Sequence, residues 1–218
     1  MEKDLKESEL YLSPLGRQKS GGYGFYIFLA VLLCCMISFR MWWTNTYSGV
    51  VVSGASMRQT LQSGDALLMK RVNNGEGLKR GDVIVVDVTG YDECGDIDYL
   101  IKRLIAMEGD KVKCLDGQIS ICYAGTSEWV KLQEPYAYYQ DNRNNYDFGG
   151  AEYTVGEGEI FFLGDNRQNS IDSRYQETNG SHLADGLYKA TDVFGIVPEW
   201  AIQHKNILEK IFFKKSIL

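Results

Sequence analysis

Tyr99-Leu100-Ile101-Lys102-Arg103-Leu104-Ile105 is the stretch on which the reading of the chain turns. It has the apolar, β-branched character of a strand, interrupted by two adjacent cations. Alternate side chains on an extended strand share a face. Lys102 then points with Leu100, Leu104 and Ala106, while Arg103 points the other way with Ile101 and Ile105. An ammonium on an apolar face is costly. A model lysine titrates near ~10.4, and each unit of depression reflects about 1.4 kcal/mol of lost preference for the charged form. Burial takes several units off such a group and turns it into a usable base. The plainer alternative is a strand-edge lysine whose stem lies on apolar surface while its amine reaches water.

Around that strand the chain reads as further short strands separated by turns. Residues 66–72 follow Ser63-Gly64-Asp65, and residues 82–88 follow Lys79-Arg80-Gly81. Lys102 lies on a strand over 98–107. Residues 111–115 and 118–123 flank Asp116-Gly117, the strongest short hairpin signal in the sequence. Residues 159–163 form an apolar strand ending at Gly164-Asp165. Helical periodicity is weak between Trp43 and Ser181, and 14 tyrosines suit strand-rich structure. The pattern predicts an all-β domain of mainly antiparallel sheet with one or two short helices.

Ahead of the strands lies GGYGFYIFLAVLLCCMISFRMWW. Residues 21–39 carry no charge and approach the roughly 20 residues that cross a ~30 Å hydrocarbon core as a helix. Tyr23 and Tyr26 at one end, and Trp42 and Trp43 at the other, suit the interfacial belts. The apolar run is long for a cleaved signal peptide, no small-x-small cleavage site follows, and there is no polar face for a buried soluble helix. The expected organisation is a cytoplasmic tail over 1–20, a transmembrane anchor over 21–41 and an extracytoplasmic domain over 42–218. Arg17 and Lys19 before the span give a modest bias toward an inside N-terminus. At the other end, Ile207, Leu208, Ile211, Phe212 and Phe213 alternate with Lys205, Lys210, Lys214 and Lys215. That pattern predicts a terminal helix, docked on the domain or lying on the membrane surface.

The balance of 23 basic and 29 acidic residues, without a long block of either sign, argues against nucleic-acid binding. No Cys-x-x-Cys pair or His-rich cluster points to zinc, and no GxxxxGK loop to a nucleotide. No cofactor is implied. Cys34 and Cys35 lie in the apolar span. Cys94, Cys114 and Cys122 are odd in number, so only a single bridge is open, with Cys114–Cys122 the best-placed pair.

Two further segments bear chemistry. Ser56 sits in Val52-Ser53-Gly54-Ala55-Ser56-Met57-Arg58-Gln59-Thr60-Leu61, a small-residue turn of the kind that exposes a nucleophile. A hydroxyl attacks poorly without a base, and the chain has only two histidines, His182 and His204, neither in a recognisable site. Gly164-Asp165-Asn166-Arg167-Gln168-Asn169-Ser170-Ile171-Asp172-Ser173-Arg174 packs two serines, two aspartates and two arginines directly after an apolar strand. It reads either as a surface loop or as an internally paired network able to brace a neighbouring lysine.

These three segments resemble the boxes of the bacterial type I signal peptidases, membrane-bound serine proteases that remove signal peptides from exported proteins. The family pattern SGxSMxPTL resembles 53–61, read with a one-residue shift in the small residues. KRxxGxPGD resembles 102–110, and GDNRxxSxDSR matches 164–174 at every fixed position. The likeness runs through nearly the whole chain after residue 20. It implies a signal-peptidase-like β core, shared with self-cleaving repressors, behind a membrane anchor. It also implies cleavage of precursors bearing signal peptides, with membrane lipid as the surroundings. Ser56 would be the nucleophile and Lys102 the general base, with Ser170 orienting Lys102. Asp172 and Arg174 would pair to brace the site, and Asp165 and Arg167 would support it similarly. Met57 would shape the pocket, and Gly54 stands where some members carry an oxyanion hydroxyl. A substrate segment would lie between the chain leading to Ser56 and the strand reaching Leu100 and Ile101. The chain departs from the pattern at Gln59, where the family has proline, and at Ala106 and Glu108 of the lysine box. Two rival readings remain: a repressor-type protease, which needs a helix-turn-helix where the apolar span lies, and a non-catalytic membrane-anchored β-domain.

Overall fold

A computed structural model describes residues 23–89, 94, 96–141, 143, 146–148, 152–174 and 188–205 of the 218-residue chain. The N-terminal tail with Arg17 and Lys19, His182 and the apolar–basic stretch after Lys205 lie outside the described residues.

The first helix, α1, covers Tyr23–Thr46. Its mean hydropathy reaches 2.0, and none of its residues is buried. At about 1.5 Å per residue, 24 residues extend about 36 Å, enough to cross a bilayer. It runs past the expected end at residue 41, because no proline or glycine follows Gly24 within it to stop it.

The remainder is built from antiparallel sheet, as the strand pattern predicts. One sheet has seven strands: β1 (Tyr47–Val51), β2 (Ala66–Arg71), β3 (Val83–Asp87), β4 (Tyr99–Met107), β9 (Glu159–Leu163), β10 (Tyr188–Lys189) and β11 (Val193–Val197). Their spatial order is β1-β2-β11-β3-β4-β9-β10. The other sheet has four: β5 (Lys111–Leu115), β6 (Gln118–Cys122), β7 (Trp129–Lys131) and β8 (Glu152–Thr154), in the order β7-β6-β5-β8. A short helix, α2 (Glu199–Gln203), follows β11.

The 111–122 hairpin forms at the predicted turn, with Asp116 and Gly117 both at positive φ (48° and 72°). That is the primed geometry whose twist matches the flanking strands. β4 serves both cores. Its first half gives Leu100 and Leu104 to a core with Ile84, Val86, Phe162 and Tyr188. Its second half gives Ile105 and Ala106 to a core with Val112, Ile119, Ile121 and Phe161. A bulge between Leu104 and Ala106 makes the change. The extra residue slips the two-residue alternation, so Ala106 leaves the company of Leu100 and Leu104 in which the sequence pattern puts it.

The Cys114–Cys122 bridge does not form: both thiols are free and buried. Cys114 pairs in register with Ile119, and Cys122 with Lys111, at opposite ends of the hairpin. Each thiol instead donates to a carbonyl, Cys114 to Tyr146 and Cys122 to Thr126.

Candidate active site

Ser56 sits on a loop between β1 and β2 that is closed at its neck. The Val52 N–H donates to the Asp65 carbonyl, and the Gly64 N–H returns to the Val52 carbonyl, each at 2.9 Å. Met57 and Leu61 plug the loop into the interior, at 2% and 0% exposure. Between these anchors the chain must turn sharply, and Gly54 (φ 88°) and Gln59 (φ 80°) take left-handed conformations. Glycine does this without strain, whereas glutamine does not. Ser56 is half-buried at the tip, and its N–H has no acceptor among the described residues.

Lys102 reaches the serine from β4. Its Nζ lies 2.9 Å from Ser56 Oγ and 3.0 Å from the Ile101 carbonyl oxygen. The side chain is 2% exposed. Burial pushes its pKa down to about 8, with the Asp172 carboxylate nearby pulling the other way. The strand-edge alternative, an amine reaching water, does not describe this residue.

The 164–174 segment is a network rather than a surface loop. Asp165, Asn166, Arg167, Asp172, Ser173 and Arg174 are all buried. It grips the serine loop from behind: the Asn166 N–H donates to the Ser56 carbonyl (2.8 Å), and its Nδ2 to the Ala55 carbonyl (3.0 Å). Thr60 Oγ1 donates to Asp165 at 2.5 Å. Gly164 has no room for a side chain, since a Cβ there would lie 2.7 Å from the Ser56 carbonyl oxygen.

The charge pairing is partly as expected. Arg174 forks onto Asp172 at 2.6 and 2.9 Å, and the Gly164 N–H adds a third hydrogen bond. Burial works against that carboxylate, but Arg174 overcomes it and holds the pKa below the usual carboxylate range. Asp165 and Arg167, however, find distant partners. Arg103 grips Asp165 in a fork at 2.8 and 2.7 Å and stacks over Tyr136 at 3.9 Å from the ring centre. Arg167 pairs with Glu134 at 2.5 Å, both side chains being fully buried. Ser170 lines the cleft but does not hydrogen-bond Lys102; its hydroxyl donates to the Ile171 carbonyl at 3.4 Å. The lysine is held instead by Ser56 and the Ile101 carbonyl.

Asn166, Arg103, Glu134, Thr60 and Lys205 therefore belong to the support of this site beyond the residues singled out in the sequence. Lys205 Nζ pairs with Asp65 at 2.5 Å, closing the neck of the serine loop from the C-terminal side. Thr60, Arg103 and Asn166 were signalled only by lying inside the matched boxes, and Glu134 and Lys205 by nothing local.

A cleft of about 370 Å³ leads to Ser56. One wall is the chain from Val50 to Met57, the other runs from Tyr99 to Lys102, and Val85 lies between them. Gly54, Met57, Leu100 and Ile101 all line it, where the resemblance puts substrate-contacting residues. β9 pairs with β4 only from Arg103 onward, so, among the described residues, 99–102 have no partner strand on that side. The walls run the same way, because four successive antiparallel pairings separate β1 from β4. Ser56 and Lys102 thus stand together at one end.

A half-buried serine, touched by a buried, amine-bearing lysine at the end of a strand-lined cleft, has the parts of a serine hydrolase that works without histidine. Comparison with known proteins places the chain in a family. The model of the signal peptidase family, peptidase S26, matches residues 23–202. A signal peptidase I of Bacillus licheniformis is 35% identical over 167 residues, 73% of this chain and 78% of that one. Signal peptidase I T of Bacillus subtilis is 32% identical over 160 residues, 70% of this chain and 74% of that one. A crystal structure of a signal peptidase I from Enterococcus faecalis aligns with a TM-score of 0.40 at 27% identity, covering 56% of this chain and 98% of that one. The chain belongs to the signal peptidase family, peptidase S26.

Proposed function

We propose that this chain is a membrane-anchored serine endopeptidase that removes signal peptides from exported precursors, with Ser56 as nucleophile and Lys102 as general base. The observation that carries this reading is the 2.9 Å contact between a buried Lys102 amine and the Ser56 hydroxyl.

The acyl half of the substrate lies as an added strand in the cleft, main chain against residues 99–101 and the chain leading to Ser56. Since its carbonyl must reach Ser56, it runs parallel to both walls. Side chains one and three places before the cut then face the same wall. Met57, Leu100 and Ile101 give that space an apolar character suited to small residues. Neutral Lys102 takes the hydroxyl proton as Ser56 Oγ adds to the scissile carbonyl carbon. The carbonyl electrons move to oxygen, and the free Ser56 N–H is placed to receive them beside the open Gly54. The resulting ammonium returns its proton to the amine nitrogen as the C–N bond breaks. In the acyl-enzyme Lys102 then takes a proton from water as its oxygen adds to the ester carbonyl carbon, and the ammonium returns that proton to Ser56 Oγ as the ester C–O bond breaks.

The network behind the loop keeps these atoms in place. Asn166 holds the Ser56 carbonyl, and Asp172 with Arg174 fixes the Gly164 turn. Ser170, in the cleft lining, acts on Lys102 through Asp172, whose carboxylate it helps to keep charged, rather than by direct contact. α1 anchors the domain, placing residues 1–20 in the cytoplasm and 42–218 outside it, as Arg17 and Lys19 favour. Anchoring in lipid brings the cleft to the membrane in which the precursor is already inserted.

The test is cleavage of a model precursor by detergent-solubilised protein. Ser56→Ala and Lys102→Ala each abolish cleavage while the domain stays folded. Because the base must be neutral, kcat/KM rises with pH through a midpoint near the Lys102 pKa of about 8. Full activity of Lys102→Ala near neutral pH would overturn the assignment.

A further inference from the structure

Beside the acyl cleft, a second depression lies on the loop that carries Ser56, lined by Gly54, Ala55, Arg58, Leu61, Gln62 and Ser63. It shares Gly54 and Ala55 with the cleft and continues from the Ser56 end along the serine loop. A substrate whose acyl half fills the cleft must send its other half past Ser56, and this is the surface it meets there. One charged side chain lines that surface. Arg58 is exposed and stacks over Tyr138, its guanidinium 5.2 Å from the ring centre. Among the described residues it has no carboxylate partner, whereas Arg80, Arg103, Arg167 and Arg174 are all paired. The nearby acids are already committed: Asp65 to Lys205, and Asp165 to Arg103.

We propose that Arg58 is a specificity-determining residue that favours an acidic side chain on the leaving half of the substrate, within the first three residues after the cut. This rests on the peptidase reading above. The reach follows from chain dimensions. Arg58 is two residues from Ser56, so their Cα atoms are at most about 7.6 Å apart. An extended substrate advances about 3.3 Å per residue. One to three steps past the scissile bond therefore bring a carboxylate within range of the guanidinium. The Tyr138 ring pre-sets the guanidinium plane, and a planar fork facing a carboxylate forms two parallel hydrogen bonds. A lysine at the same substrate positions meets a like charge.

The experiment uses the detergent-solubilised full chain and three otherwise identical peptides bearing a signal-peptide cleavage site. They carry Glu, Gln or Lys at the second position of the leaving half. Wild type should cut the Glu peptide about two- to fivefold faster than the Lys peptide in kcat/KM, the scale of an exposed ion pair. The preference should shrink as salt rises from about 0.05 M to about 0.5 M. Arg58→Gln should flatten the ratio, and Arg58→Glu should reverse it. Arg58 is exposed, so both variants should keep the wild-type melting temperature. An unchanged Glu-to-Lys ratio in Arg58→Glu would overturn the assignment of Arg58. Loss of that ratio's dependence on Arg58, with Ser56-dependent cutting of the Gln peptide intact, leaves the peptidase reading standing. No cutting of any peptide by wild type removes both.

Discussion

Replacing Lys102 by methionine separates the two consequences of burying an amine. The side chains are alike in length and volume, so the site stays filled, but methionine carries no charge to desolvate. In wild type the folded protein holds Lys102 with a pKa of about 8 against the ordinary lysine value of 10.5. Below about pH 8 both folded and unfolded chains carry the ammonium, and folding bears the full cost of burying it. Between about 8 and 10.5 the unfolded chain binds a proton that the folded chain does not, so stability rises with pH. The shift corresponds to about 3 kcal/mol in all, of which about 2.5 kcal/mol accrues between about pH 7 and about pH 10. Other groups titrate in that range too, since burial raises Cys114 to about 11 and Tyr153 to about 12. They are common to both proteins and cancel in the difference. Urea unfolding of the two proteins across this range, followed by Trp129 and Trp200 fluorescence, should show Lys102→Met gaining on wild type at neutral pH. That advantage should fall by about 2.5 kcal/mol by about pH 10. The variant should be inactive throughout. Stability curves that stay parallel would refute the claim that a buried, proton-shedding amine sits at this position.

Two further outcomes test the support around the site. Gln59 occupies the family's proline position at φ 80°, whereas proline is fixed near about −65°. Gln59→Gly should therefore stabilise by about 0.5–1 kcal/mol and Gln59→Pro should destabilise, both read as melting temperature; a more stable proline variant would show that the loop turns differently. Glu134→Gln leaves the buried Arg167 cation without its counter-charge and should cost about 3–5 kcal/mol of stability, with activity falling in parallel. Pairing Glu134→Leu with Arg167→Met should recover much of that loss, and an unaltered melting temperature in Glu134→Gln would remove the pair from the support of the site.

What the sequence discloses and what it hides divide along a physical line. The 111–122 hairpin and the 159–163 strand were legible because turn chemistry and alternation are local properties. β1 and β11 were not. Gly49 interrupts the first and Gly195 the second, and glycine inside a strand reads as a break. In β11 the glycine answers a close approach: a Cβ at Gly195 would lie 2.9 Å from the Lys70 carbonyl oxygen on the neighbouring strand. Only the assembled sheet supplies that reason. Charges follow the same division. Asp172 and Arg174, two residues apart, could be paired on sight. Arg167 finds Glu134 across 33 residues, and Asp165 finds Arg103 across 62. Glu134 lies in Leu132-Gln133-Glu134-Pro135, which carries no mark of burial. A buried ion pair needs both members out of water at once, and a linear reading sees them one at a time. The burial that lowers the Lys102 pKa is legible because the apolar neighbours stand beside it on one strand, whereas the frame that brings it to Ser56 is assembled from strands and loops far apart in sequence.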